Sequence, residues 1–153
     1  MKIAFGADHA GYRLKEELVE FARAQGHDVI DFGTDSDASV DYPDFASRVA
    51  EAVVSGDVDR GVLVCASGIG MSIAANKVRG IRAARVDTCA EAEFSRKHND
   101  ANVLCFGQRY IDSDEARKAL STWLETEFEG GRHQRRIDKI ATIELEQSSE
   151  ELK

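Results

Sequence analysis

Short apolar runs rich in β-branched residues alternate along this chain with longer stretches whose apolar positions recur every three or four residues. Lys2 to Gly6, Val29 to Phe32, Gly61 to Cys65, Ile81 to Val86 and Val103 to Gly107 read as strands. Each is close to continuously apolar, the signature of a strand covered on both faces. Between the first two, Leu14, Leu18, Phe21 and Ala22 share one helical face, Glu16, Glu17 and Glu20 point away, and Gly26 supplies a stop. Further helices are predicted over residues 44–55, 70–78, 88–97 and 113–128.

This strand–helix repeat specifies one domain over residues 1–153, a three-layer α/β/α fold of the Rossmann-like kind with a mostly parallel five-stranded sheet. Ligands are then expected in the loops at the carboxyl ends of the strands. Beyond Phe128 the pattern changes. Glu129-Gly130-Gly131 breaks the preceding helix, and Ile137, Ile140, Ala141, Ile143 and Leu145 mark an extra C-terminal amphipathic helix over residues 132–146. No strand remains for it to cover, so it packs either on a second subunit or back on its own domain. Residues 147–153 read as a frayed tail.

Composition narrows the function classes. With 28 acidic against 20 basic residues the formal charge is -8, which argues against nucleic acid or an anionic membrane as the main partner. The chain has neither a run of about twenty apolar residues nor a cationic, apolar leader, and a cytoplasmic protein is expected. Its three cysteines, Cys65, Cys89 and Cys105, form no CxxC pair. That usage fits a reducing compartment, and neither a disulfide framework nor a metal site is expected.

Candidate chemistry falls in the predicted loops. The segment GADHAGYR places Asp8 and His9 between two glycines after the first strand. It matches neither a Walker A loop nor the dinucleotide fingerprint, and Asp8 is alternatively a helix cap. CASGIGMS puts Cys65 where a strand meets a glycine-rich turn, with Ala66, Ser67, Gly68, Ile69 and Gly70 offering successive amides to an oxyanion. A thiol there is either a small buried hydrophobe or a proton carrier aimed at what the turn holds. A cysteine-phosphatase loop requires arginine six places after the cysteine, where this chain has Met71. Asp31 on the second strand is the one residue favouring a dinucleotide. His98 and Asn99 precede the fifth strand, from where they can reach a strand-end site, although a helix C-terminus favours histidine without any ligand. Arg132, Arg135 and Arg136 concentrate positive charge in an acidic chain and Arg109 follows a strand. Such arginines suit either a phosphate or a solvated helix end.

These motifs, in this order, give the chain a close resemblance to the ribose-5-phosphate isomerase B family within the wider group of galactose- and allose-6-phosphate isomerases. The likeness rests on GADHAG at 6–11, DYPDFA at 41–46, CASGIGMSIAANK at 65–77, GIRAA at 80–84, SRKHNDANVLCFGQR at 95–109 and EGGRHQRR at 129–136. It implies interconversion of ribose 5-phosphate and ribulose 5-phosphate without metal or organic cofactor, in a homodimer, or a dimer of dimers, whose active sites lie at the subunit interface. It further implies Cys65 as the base that moves a proton between C1 and C2, His98 as the group assisting ring opening, and Ser67, where the family often has threonine, as a hydroxyl contact. Asp8, His9, Tyr42 and Asn99 would contact sugar or phosphate, and Arg109, Arg132 and Arg136 would hold the phosphate. Relatives that use a nearby glutamate as base have an acid in the following helix; Met71 to Asn76 contains none. Two other readings stay open: a hexose-6-phosphate isomerase, and a non-catalytic phosphosugar-binding regulatory domain.

Overall fold

The computed structural model describes residues 1–150. Eleven elements follow in strict alternation until the end: β1 (Lys2–Ala7), α1 (Tyr12–Ala24), β2 (Asp28–Asp31), α2 (Tyr42–Val54), β3 (Arg60–Cys65), α3 (Ile69–Ala75), β4 (Ala83–Arg85), α4 (Cys89–Asn99), β5 (Val103–Gly107), α5 (Ser113–Glu125) and α6 (Arg132–Glu150). The five strands form one all-parallel sheet in the order β2-β1-β3-β5-β4. The expected doubly covered α/β/α architecture is thus the observed one.

The pleat sorts the apolar strand residues into two cores. Ile3, Phe5, Val62, Val64, Leu104 and Phe106 face α1, α4 and α5, where Leu14, Leu18, Ala92, Leu120 and Trp123 meet them. Their neighbours Ala4, Leu63, Cys65, Val103 and Cys105 face α2 and α3, packing on Val49, Met71 and Ala75. Alternation with period two makes this division automatic, and burial on both faces explains why the strands carry almost no polar residue.

Element ends follow local chemistry. Helix α2 begins two residues before its predicted start, with Pro43 in the first turn, where a missing N–H is harmless. Thr88 and Glu91 form a reciprocal capping box on α4. Helix α5 stops at Glu125, short of the predicted Phe128, because Thr126 adopts extended backbone. Strand β4 is only three residues long; the N–H of Arg82 donates instead to the Asn102 side chain at 2.8 Å. The helical pattern runs on into the segment expected to fray. Helix α6 continues through residues 147–150, where Ser148 and Ser149 donate to the carbonyls of Glu144 and Leu145 at 2.9 and 2.7 Å. Residues 151–153 of that expected tail lie outside the described residues.

One charged group is fully inside: Lys15 has no exposed surface, and its Nζ donates to both oxygens of Asp31 at 2.9 and 2.8 Å. Asp31 therefore ties α1 to the end of β2, a structural use that removes it from ligand chemistry. Deleting only the acid leaves a buried ammonium alone, whereas deleting only the amine leaves a partly exposed carboxylate that still accepts from the Gly33 amide. Asp31→Ala is accordingly expected to cost about 3 kcal/mol and Lys15→Met less than about half of that. Urea unfolding of both variants checks the asymmetry, and equal losses would contradict it.

Candidate functional site

The strand order reverses direction between β1 and β3, the position at which parallel α/β sheets open a crevice beyond their carboxyl ends. Asp8 and His9 leave β1 on one side of this crevice, and the Cys65–Gly70 loop leaves β3 on the other. Asp8 is buried and does not cap α1; its Oδ1 accepts from the Ala10 amide at 3.0 Å, which shapes the turn itself. His9 accepts the Val40 amide at Nδ1, 3.2 Å away. The Tyr42 ring, at the start of α2, lies flush against Gly70, where an added Cβ would meet ring atoms at 2.7–3.1 Å.

Cys65 ends β3 and is only 5% exposed. The Gly68 amide donates to its Sγ at 3.1 Å, a contact that a thiolate accepts more strongly than a thiol does. Ser67 Oγ accepts from the Ile69 amide at 3.2 Å. Two of the loop amides are thus engaged in shaping the loop around the sulfur. The loop is clamped from β5 as well. The amides of Gln108 and Arg109 donate to the carbonyls of Cys65 and Ala66, and Arg85 Nε donates to the Ser67 carbonyl at 2.7 Å. Gly68 sits at φ +76°, a left-handed conformation that favours glycine, and Gly107 runs so close beneath the loop that a Cβ there would lie 2.5 Å from the Ser67 carbonyl. Arg109 is exposed at this same end.

The other predicted residues are elsewhere. Crossover helix α4 runs against the strand direction, so His98 and Asn99 at its C-terminal end lie beside the start of β5, where the Ala101 amide donates to Ser95 and that of Asn102 to Arg82. Cys65 pairs with Gly107 at the far end of β5. A five-residue strand separates the two levels by roughly 13 Å. His98 and Asn99 therefore do not meet the strand-end loops of their own chain: a loop that precedes a parallel strand opens at the opposite edge of the sheet from one that follows it.

Arg132 and Arg136 gather with His98 instead of with Cys65. The Glu129 amide donates to the Lys97 carbonyl at 3.2 Å, fastening the glycine break to the end of α4 and setting the first turn of α6 beside it. That first turn carries a residue the sequence reading passed over. His133 is buried, and its ring stacks on His98 with centroids 4.3 Å apart and planes 15° from parallel, while Phe94 touches His98 from its own helix at 5.1 Å. Burial holds His133 below the ordinary imidazole range, and the neighbouring His98 and Arg132 push in the same direction. The sequence signal was RHQRR itself, in which the charged residues drew attention away from the histidine between them.

Beside this second cluster, α6 leaves a groove of about 430 Å³ against the β4 edge, lined by Ile81, Arg82, Asn99, Ile140, Ile143 and Glu144. Ile143 and Leu145 are more than half exposed, as are Ile69 and Ile73 on α3 beside the Cys65 loop. The third cysteine of interest, Cys105, is fully buried, and its thiol is pushed well above its ordinary range, chiefly by that burial. Cys65 is the thiol with a loop to work in.

Comparison with known proteins follows this geometry. Residues 3–140 match the family model described as Ribose/Galactose Isomerase. The chain is 50% identical over 143 residues to ribose-5-phosphate isomerase B of Escherichia coli, covering 94% of this chain and 96% of that protein. A Clostridium thermocellum ribose-5-phosphate isomerase B structure superposes with a TM-score of 0.94 at 53% identity, covering 95% of this chain and 99% of the other. The Mycoplasma genitalium ribose-5-phosphate isomerase B, solved with bound ribulose-5-phosphate, superposes with a TM-score of 0.90 at 44% identity, covering 95% and 97% of the two chains.

The clamp on the Cys65 loop predicts the behaviour of Gly107→Ala. The new methyl must displace the Ser67 backbone, which is expected to cost about 1–3 kcal/mol and to uncover the sulfur. Alkylation of Cys65 by iodoacetamide, followed by mass spectrometry, should accelerate in this variant; an unchanged rate would show that the loop absorbs the methyl without opening.

Proposed function

Because the chain belongs to the ribose/galactose isomerase family, we propose that it interconverts ribose 5-phosphate and ribulose 5-phosphate through an enediolate, with Cys65 as the base. The observation that carries this reading is the Cys65 sulfur itself, held at the sheet's switch point inside a turn of backbone amides. An aldose–ketose shift removes a weakly acidic proton beside a carbonyl and must stabilise the oxyanion that results. Cys65 takes the proton from C2 and returns it to C1. Gly68 and Ile69 already donate to Cys65 Sγ and Ser67 Oγ, so the Ala66, Ser67 and Gly70 amides are assigned to the developing charge, for which a single donor is worth roughly 3 kcal/mol. Ser67 adds a hydroxyl contact, and the scheme uses no cofactor.

Ring opening is assigned to His98 and phosphate binding to Arg109, Arg132 and Arg136, with Asp8, His9, Tyr42 and Asn99 holding the sugar. Remote phosphate binding then orients the reacting carbons. His98, Asn99, Arg132 and Arg136 lie one strand length from their own Cys65, so a site that uses both groups needs two chains. A two-fold homodimer supplies this twice over, since an isologous contact that brings the partner's His98 to Cys65 also brings His98 to the partner's Cys65. The exposed isoleucines of α3 and α6 flank the two half-sites and give such an interface its apolar area. A cytoplasmic location is supported by three cysteines without a disulfide, and among the described residues no helix is long and apolar enough to cross a membrane.

Turnover of ribose 5-phosphate beside allose 6-phosphate and galactose 6-phosphate tests the substrate. We expect the pentose to be preferred, and Cys65→Ala to lose at least about 100-fold in kcat while still binding phosphosugar. Preference for a hexose phosphate would move the substrate and keep the mechanism; binding without turnover by the unaltered protein would instead indicate a regulatory domain. Arg136→Ala should raise KM for the phosphorylated sugar far more than for the neutral one.

The two-chain site has its own test. Co-expressed Cys65→Ala and His98→Asn chains should regain turnover that neither homodimer shows, because one site of each mixed dimer is intact. Activity no higher than the sum of the separate variants would place both groups in one chain.

A further inference from the structure

His98, Glu129 and His133 each present a ligand-type atom, and these atoms all lie within 4.8 Å of one another. Two imidazoles and a carboxylate are a common protein ligand set for zinc sites that leave a fourth position open. His133 is 6% exposed, yet its Nε2 has no hydrogen-bond partner, and Glu129 Oε2 stands 3.6 Å away. A buried imidazole nitrogen without a partner is costly unless something fills its lone pair or takes its proton. From this geometry we propose that His98, Glu129 and His133 form a binding site for a borderline divalent metal such as Zn²⁺, and that occupancy inhibits the isomerase by taking His98 out of proton transfer.

The inhibitory half rests on the assignment of ring opening to His98. Tetrahedral coordination with bonds of about 2.0–2.1 Å requires the ligand atoms to approach to roughly 3.3 Å. Glu129 is about half exposed and His98 only partly buried, so these two side chains can swing while the buried His133 stays fixed by its packing. The stacked rings must splay for both nitrogens to converge on one ion, and His98 thereby leaves the face of His133. Arg132 and Arg136 on the same turn oppose a dication, which sets the expected affinity in the micromolar range and not the nanomolar.

The experiment uses metal-free wild-type protein titrated with Zn²⁺ by calorimetry, with ribose 5-phosphate turnover followed over the same concentrations. One ion per chain is expected, with turnover falling as the site fills. Glu129→Gln should retain metal-free turnover, weaken Zn²⁺ at least about tenfold and shift the inhibition curve by the same factor; His133→Gln should weaken Zn²⁺ likewise. Cys65→Ala should bind Zn²⁺ as the wild type does, which separates this site from capture by the thiol. No binding, or binding indifferent to both Glu129→Gln and His133→Gln, would overturn the site. Binding that depends on both residues but spares turnover would overturn the inhibition. The role of His98 is judged apart from metal, by turnover of His98→Asn: a wild-type rate there would remove the ring-opening assignment whatever the calorimetry shows.

Discussion

Every crossover helix in this fold runs against the strands it connects, and that single constraint divides the chemistry of the chain. Residues that follow a strand collect at one edge of the sheet and residues that end a helix collect at the other. Cys65 and its turn belong to the first group and His98 and Asn99 to the second, where the Glu129–Lys97 bond adds the arginines that open α6. Neither half can be moved to the other edge without inverting a strand, because parallel neighbours are joined only by a crossover that returns the chain to the starting edge. A chain wound in this way can complete a site built from both halves only by association, which is why the proposed isomerase site is a two-chain one.

Within the first half, position along the strand decides what a thiol can do. Cys65 and Cys105 face the same helical layer, since both alternate outward on the α2/α3 side. Cys105 lies in mid-strand with no exposed surface, and burial pushes its thiol upward. Cys65 is the last residue of its strand, where the backbone turns and the Gly68 amide reaches its sulfur. Two residues of one type, on one face of one sheet, thus have different chemistry because only one of them meets the end of the hydrogen-bond ladder. The close approach of Gly107 to Ser67 and the Arg85 bond to the same carbonyl hold that end in place.

The strands, their parallel arrangement and the loop that carries Cys65 were legible in the sequence because continuous apolar runs and glycine-rich turns are local signals. The reach of His98 was not. The segment before β5 reads as a loop near a strand, and only the sense of the strand says which edge it occupies. His133 escaped for a different reason: its role comes from stacking on a residue 35 positions away, fixed by the Glu129–Lys97 backbone bond, and no periodicity reports a contact of that kind. In residues 147–150, whose composition suggests fraying, hydroxyl-to-carbonyl bonds from Ser148 and Ser149 are compatible with helix.

Helix α6 draws these strands of reasoning together. Only His133 and Ile137 of its residues are buried in the chain, and its remaining apolar face looks outward across a groove beside the β4 edge. A helix of this kind gains little by packing on its own domain, yet its first turn delivers two arginines and the ring that supports His98. That exposed face is the surface the proposed two-chain site uses. Stacked flat against it, that ring supplies an apolar surface under His98, and its burial works against the charged form. Under the proposed two-chain site, α6 would do three things at once: cover a second chain, position cations for a phosphate, and hold one histidine flat against another as it does here. Its amphipathic sequence, broken from α5 by Gly130 and Gly131, is what allows one helix to serve all three.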